Sequence, residues 1–154
     1  MKLTLTKCVE FEAAHYLYTP KLTREENLSS FHACSGIREG MNELYPHGHS
    51  YKLQVSISLP GSREIDSKTG FLLDFKKFKA LIQKCIIDEF DHKLINKDIS
   101  YFEQHPEITT TCENMLFYMW GNLEKELDKI EYTGIKLEKL RLYETSTSFA
   151  ELRR

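Results

Sequence analysis

Two stretches of this chain place histidine on the apolar face of an expected β-strand. From His47 the residues alternate: His47, His49, Tyr51, Leu53, Val55, Ile57 and Leu59 share one face, with Gly48, Ser50, Lys52, Gln54, Ser56 and Ser58 on the other. Strand side chains repeat every two residues, so both imidazoles point toward the core. Near the start of the chain, Leu3, Leu5, Val9, Phe11, Ala13 and His15 share a phase in the same way. Imidazoles turned into an apolar interior need partners, because a buried polar group without one is costly. A zinc ion on His15, His47 and His49 would satisfy all three, and three protein ligands would leave its fourth position open for chemistry. For any one of these histidines, an ordinary hydrogen-bonded core position is the competing reading.

Other residues could move protons. Asp91 and His92 are adjacent, and a carboxylate beside an imidazole can fix its tautomer and raise its basicity; a charge at a helix C-terminus is the plainer account. Cys34 precedes the two-histidine strand and could act as a base if a nearby metal lowered its pKa, or else be a small buried hydrophobe. Glu43, four residues before His47, is a second candidate base or a solvated loop charge. Glu144 falls in phase with Leu140 and Leu142, and a carboxylate on an apolar face demands a partner. His32 and His105 lie outside the strand phases and receive no role.

The elements that must hold these residues follow from the same pattern. Residues 2–14 read as a strand. Thr23 with Glu26 forms a capping box for a short helix through Phe31, and residues 35–46 read as a loop. The second strand spans 47–59. Pro60 and Gly61 then open a turn, and a hairpin into Phe71-Leu72-Leu73 is expected. Asp74 caps a helix that presents Phe75, Phe78, Ile82, Cys85, Ile86 and Phe90 on one face. Thr110 and Glu113 form a second capping box for a helix with Leu116, Met119, Trp120, Leu123 and Leu127 at helical spacing. The last strand covers 135–145. Its apolar phase slips between Leu137 and Leu140, which predicts a β-bulge. Strands with two interposed helices imply an α+β fold, helices on one face of an antiparallel sheet. Too few strands are visible to close a barrel, so exposed edges favour assembly with further copies.

Composition bounds the rest. The chain has 154 residues, enough for one domain (1–154) with a real core. Its 21 Lys+Arg against 23 Asp+Glu leave a net charge of −2, which argues against a nucleic-acid or membrane-surface partner. No apolar run approaches a spanning helix or a signal-peptide core. Cys8, Cys34, Cys85 and Cys112 are far apart, which favours free thiols and a cytoplasmic location.

Several short motifs occur together: Phe11-Glu-Ala-Ala-His15, His47-Gly-His-Ser-Tyr51, Gly70-Phe-Leu-Leu-Asp-Phe75, Phe90-Asp-His92, Thr110-Thr-Cys-Glu-Asn114 and Tyr143-Glu-Thr145. On these the chain resembles the 6-pyruvoyltetrahydropterin synthase family, which includes the 6-carboxytetrahydropterin synthases of queuosine biosynthesis. The run Glu25-Glu-Asn-Leu28 through Phe31-His-Ala-Cys34, with Tyr101-Phe102, resembles the animal-type enzymes of tetrahydrobiopterin biosynthesis. The resemblance implies the tunnelling fold, a four-stranded antiparallel sheet with two helices on one face. Three subunits would close a barrel, and two barrels would stack as a hexamer. It implies Zn²⁺ on His15, His47 and His49, Cys34 as base, and a relay through Asp91 and His92 from a neighbouring subunit. Glu144 would hold the pterin ring, with Glu113 and Thr111 helping to bind it. The implied reaction converts 7,8-dihydroneopterin triphosphate to 6-pyruvoyltetrahydropterin with loss of triphosphate. Alternatives on this scaffold are 6-carboxytetrahydropterin with release of acetaldehyde, aldol cleavage to 6-hydroxymethyldihydropterin using Glu43, and non-catalytic binding of pterin or zinc.

One feature departs from the family pattern. Ser35 to Pro46 separate Cys34 from His47, where relatives have only a few residues. Either the loop bulges out and returns Cys34 to the histidines, or Glu43 takes the base position. Lys21, Arg24 and Arg38 are candidate cations for a triphosphate.

Overall fold

The computed structural model describes residues 2–59, 65–130 and 134–154. Strands β1 (Thr4–His15) and β2 (His47–Ser58) form a long antiparallel pair, and β4 (Lys136–Tyr143) and β5 (Phe149–Arg153) extend it. Strand β3 (Lys93–Leu94) adds a short parallel pairing to Ala13–Ala14 of β1, giving a sheet ordered β3-β1-β2-β4-β5. The antiparallel four-strand body is therefore joined by a fifth, parallel edge strand. The sheet does not close on itself. β3 reaches only the end of β1, and β5 is the other edge, so among the described residues both margins carry unpaired backbone.

Core packing follows the alternation. Tyr51, Leu53, Val55 and Ile57 of β2 are fully buried, beside Phe11 and Ala13 of β1 and Leu137, Leu140 and Leu142 of β4. Helix α6 (Cys112–Leu127) covers them with Met115, Leu116, Met119, Leu123 and Leu127. Burying a side chain of this kind contributes roughly 1.5–3 kcal/mol. The phase slip in β4 is a register shift: Ser56 faces Lys139, but Ile57 faces Leu137. Glu138 is the extra residue, and Ile135, Leu137, Leu140 and Leu142 all reach the interior.

The helical segments match expectation with three corrections. Helix α1 (Arg24–Phe31) carries the Thr23–Glu26 capping box, and Asp74 caps α2 (Phe75–Ile82) by accepting from the amides of Lys76 and Lys77. A π turn over Gln83–Ile87 leads into α3 (Asp88–Phe90). The wider turn brings Cys85, Ile86 and Ile87 inward in succession, while Phe75 at the start of α2 is exposed. First, Phe71–Leu73 forms no strand: Leu72 and Leu73 are buried as a loop rather than paired, and residues 60–64 of the expected hairpin lie outside the described residues. Second, the N-cap of α6 is Thr111, whose hydroxyl accepts from the Asn114 amide; Thr110 is engaged elsewhere, so no Thr110–Glu113 box forms. Third, Phe149–Arg153 forms β5, which its partly buried alternation did not announce. Two short helices, α4 (Ile95–Asp98) and α5 (Ser100–Gln104), connect β3 to α6. Among the described residues no helix is long and apolar enough to cross a membrane.

Candidate metal centre and adjoining cleft

The register of β1 on β2 builds the site. His15 lies opposite His47, and Ala13 opposite His49, so three imidazoles meet at one end of the sheet on its core face. Their ring centroids are 4.7 Å (His15–His47), 5.1 Å (His15–His49) and 4.8 Å (His47–His49) apart. One ligand-capable atom from each lies within 4.8 Å of the others. Among the described residues, the buried side-chain polar atoms without a hydrogen-bond partner are His15 Nε2, His47 Nε2 and His49 Nε2. An unpaired buried acceptor costs about 1–3 kcal/mol, and a shared cation is the one partner that would relieve all three. The donor set therefore fits a metal ion.

Protonation is set accordingly. His15 Nδ1 lies 2.8 Å from the carbonyl oxygen of Thr110. A carbonyl can only accept, so Nδ1 carries the hydrogen and Nε2 presents its lone pair. Burial, and then the neighbouring imidazoles, push the His15 pKa down to about 4 against the Thr110 contact, which favours the charged ring. Burial and His49 lower His47 as well, despite the raising influence of Glu144. Both rings are thus poised neutral, as ligands must be.

Glu144 follows the last residue of β4 and keeps its inward phase. Its Oε1 is 3.4 Å from His15 Nε2 and 3.7 Å from His49 Nε2. It is also part of the wall of a cleft of about 240 Å³, together with Leu17, Thr111, Cys112, Glu113, Ser148, Phe149 and Ala150. Glu144, Glu113 and Thr111 therefore share one cavity beside the histidines. Cys112, Ser148, Phe149 and Ala150 were not singled out from sequence; the last three depend on the turn into β5. Burial first, then Glu144 and Glu113, push the Cys112 thiol up to about 12. Tyr51, behind the histidines, is held protonated by burial, with Cys112, Glu144 and Cys34 adding to the effect.

The long loop bulges out and closes at its neck. The Tyr45 amide donates to the Gly36 carbonyl at 2.9 Å, and Gly36 adopts φ 71°. A Cβ there would meet the Tyr45 oxygen at 2.6 Å, so this close approach requires glycine. Cys34 lies just before the neck in the short helical turn His32–Ser35, exposed, and its carbonyl accepts from the Leu17 amide at 2.7 Å. That ties it two residues beyond His15. Glu43 lies out on the loop and is exposed. Arg24 is used structurally, donating to the carbonyls of Arg38 (3.3 Å) and Met41 (2.6 Å), while the Arg38 guanidinium lies over the Tyr45 ring.

Asp91 and His92 do not join the histidine cluster within one chain. They lie along the β1 edge, where Asp91 Oδ1 accepts from the Glu12 amide at 2.9 Å and the His92 amide donates to the Glu12 carbonyl at 2.6 Å. His92 Nδ1 is 3.0 Å from Asp91 Oδ2, and its side chain is 80% exposed. The Glu12 amide, and then His92, hold the Asp91 carboxyl below its usual range despite opposing desolvation. His92 has φ 60°, a left-handed conformation that is costly for a residue with a Cβ. The cleft beside it is shared with Glu12, Ser50 and His49.

A mainly antiparallel sheet thus carries a three-histidine cluster that could hold a metal ion, with a carboxylate and a small cleft beside it. A family model described as 6-pyruvoyl tetrahydropterin synthase matches residues 4–154, and the chain belongs to that family of enzymes. It is 33% identical over 144 residues to the 6-pyruvoyl tetrahydrobiopterin synthase of Homo sapiens, spanning 94% of this chain and 86% of that protein. A 6-carboxy-5,6,7,8-tetrahydropterin synthase of Haemophilus influenzae is 28% identical over 141 residues, covering 85% of this chain and 96% of that one. The solved structure of Caenorhabditis elegans 6-pyruvoyl tetrahydropterin synthase superposes with a TM-score of 0.79 at 26% identity, covering 100% of this chain and 96% of that one.

Proposed function

We propose that the protein is a zinc-dependent lyase that converts 7,8-dihydroneopterin triphosphate to 6-pyruvoyltetrahydropterin and triphosphate. The observation that carries this reading is the cluster of three unpartnered Nε2 atoms beside the Glu144 carboxylate, which also lines the neighbouring cleft. His15, His47 and His49 would hold the zinc ion, which when bound would supply Lewis acidity toward the hydroxyls of the substrate side chain. Glu144 accepts hydrogen bonds from the amidine-like N–H edge of the pterin, and Glu113 and Thr111 complete that pocket. Cys34, whose carbonyl accepts from the Leu17 amide two residues beyond His15, is the base that removes a proton from a side-chain carbon. Asp91 fixes the tautomer of His92, which relays protons between side chain and ring. Elimination of triphosphate and migration of protons leave the side chain oxidised and the ring reduced, so no external oxidant enters.

The Asp91–His92 pair acts on a neighbouring subunit's site. Its place at the β1 edge, with both sheet margins unpaired among the described residues, favours a homo-oligomer, a trimer or a hexamer of two trimers. The free cysteines suit a cytoplasmic location. The 6-carboxy product is the second reading, since relatives bearing that name align over most of the chain. Several relatives named for the 6-pyruvoyl product align at 32–33% identity, against 28–29% for two 6-carboxy relatives. Incubation of zinc-loaded protein with 7,8-dihydroneopterin triphosphate, followed by mass spectrometry, tests the assignment. A 6-pyruvoyl product with free triphosphate supports it. A 6-carboxy product with acetaldehyde transfers it to the second reading, a hydroxymethyl product implicates Glu43, and no turnover with zinc bound refutes catalysis on this substrate.

A further inference from the structure

We infer that Asn96 and Thr110 form a latch that positions His15, fixing its tautomer and setting the affinity of the three-histidine centre. The inference rests on the metal-site reading above. Asn96, in α4, mimics a strand partner at the end of β1: its Oδ1 accepts from the Tyr16 amide at 3.0 Å and its Nδ2 donates to the Tyr16 carbonyl at 3.0 Å. The same Nδ2 donates to Thr110 Oγ1 at 3.3 Å, and that hydroxyl donates to the Tyr16 carbonyl at 3.1 Å. Thr110 is fully buried, and its carbonyl takes the Nδ1 hydrogen of the equally buried His15. From the other side, Asn114 Nδ2 donates to the Thr109 carbonyl at 2.8 Å, which pins the same segment to α6. The position of one carbonyl oxygen is thus determined twice over. That oxygen is the group that turns His15 Nε2 toward His47 and His49. Asn96 lies four residues beyond His92, so the segment bearing the Asp91–His92 pair also braces the metal centre.

These are positioning residues: Thr110 holds the far nitrogen of a ligating histidine, and neither residue is itself a candidate ligand. Partners of a ligating histidine typically govern 10- to 100-fold in metal affinity. Asn96→Asp removes both donors, Thr110→Val removes the hydroxyl at nearly constant shape, and Thr110→Ser restores it. Zinc affinity is read by competition with a chromophoric chelator, and the His15 tautomer by long-range proton–nitrogen NMR of the metal-free protein. Asn96→Asp and Thr110→Val are expected to weaken zinc roughly 10- to 100-fold and to mix the His15 tautomers. Thr110→Ser is expected to stay near the original protein in both. Folded variants with unchanged zinc affinity and a pure Nδ1–H tautomer overturn the latch while leaving the metal site standing. If the unsubstituted protein binds no zinc, the metal reading and the affinity claim fall together, and the NMR alone decides whether the latch holds His15. Should Asn96→Asp fail to fold, the Thr110→Val and Thr110→Ser pair decides.

Discussion

His15 makes a quantitative claim about the metal-free protein. Its pKa falls from 6.5 to about 4 on folding, with burial as the main cause. The folded state therefore binds fewer protons at this site than the unfolded chain. The associated stability is present above pH 6.5 and is lost as pH falls toward 4. For a shift of this size the loss relative to pH 7.5 is about 2 kcal/mol at pH 5 and about 3 kcal/mol at pH 4. Carboxylates such as Asp91 lose stability over the lower part of the same range, so a control is needed. His15→Asn supplies it, since its amide can still donate to the Thr110 carbonyl but does not titrate. Urea unfolding of both metal-free proteins at pH 7.5 and pH 5, at one protein concentration, isolates the imidazole. The original protein should lose about 2 kcal/mol more than the variant between those pH values. Equal losses would refute a buried neutral His15, and with it the preorganisation of the metal centre.

Three further outcomes follow from the site. Cys34→Ala should lower turnover by about 10²- to 10⁴-fold while pterin binding, read by fluorescence, is kept, and Glu43→Ala should leave turnover within about twofold; the reverse pattern makes Glu43 the base. Glu144→Gln should weaken pterin binding by roughly 10- to 100-fold in titration calorimetry, the worth of a charge-assisted hydrogen bond, and unchanged affinity would remove Glu144 from the pterin pocket. Gly36→Ala, at φ 71° with the Tyr45 oxygen 2.6 Å from the new Cβ, should destabilise the protein by more than about 1 kcal/mol in urea and reduce turnover by displacing Cys34; a neutral effect would show that the neck tolerates a side chain.

Much of the site was legible because strand phase is a strong signal. Alternation alone put His15, His47, His49 and Glu144 on the core face, and the slip between Leu137 and Leu140 located the bulge at Glu138. What alternation cannot supply is register. That His15 faces His47 rather than Tyr51 follows from twelve strand pairs acting together. Buried apolar segments were also misread where the backbone is irregular: Leu72 and Leu73 are core residues in a loop, and the π turn buries Ile87 out of phase. Thr110 looked like a helix cap because Thr and Glu three apart are the usual sign. The cap moved to Thr111, since the Thr110 hydroxyl and carbonyl are claimed by Asn96, Tyr16 and His15. β5 stayed hidden because only Ala150 and Leu152 of its five residues turn toward the core.

The 37–44 loop makes a long excursion beside the site and closes at a single neck. Loop closure entropy grows slowly, about 0.6 kcal/mol for each doubling of length. The protein spends this small cost on the 37–44 excursion and keeps the neck, where the Tyr45 amide meets the Gly36 carbonyl at 2.9 Å. That is the bond a β-turn makes between its first and fourth residues. Replacing residues 37–44 with Asn-Gly would make Gly36 and Tyr45 those two residues, leaving the Leu17–Cys34 hydrogen bond in place. The shortened chain gives up the two hydrogen bonds from half-buried Arg24, together worth about 1–3 kcal/mol, and the Arg38–Tyr45 contact. It should be modestly less stable, with turnover within a few-fold of the original. A loss of 100-fold or more in a folded variant would mean that the loop itself does chemistry, with Glu43 the group on it best suited to act as base.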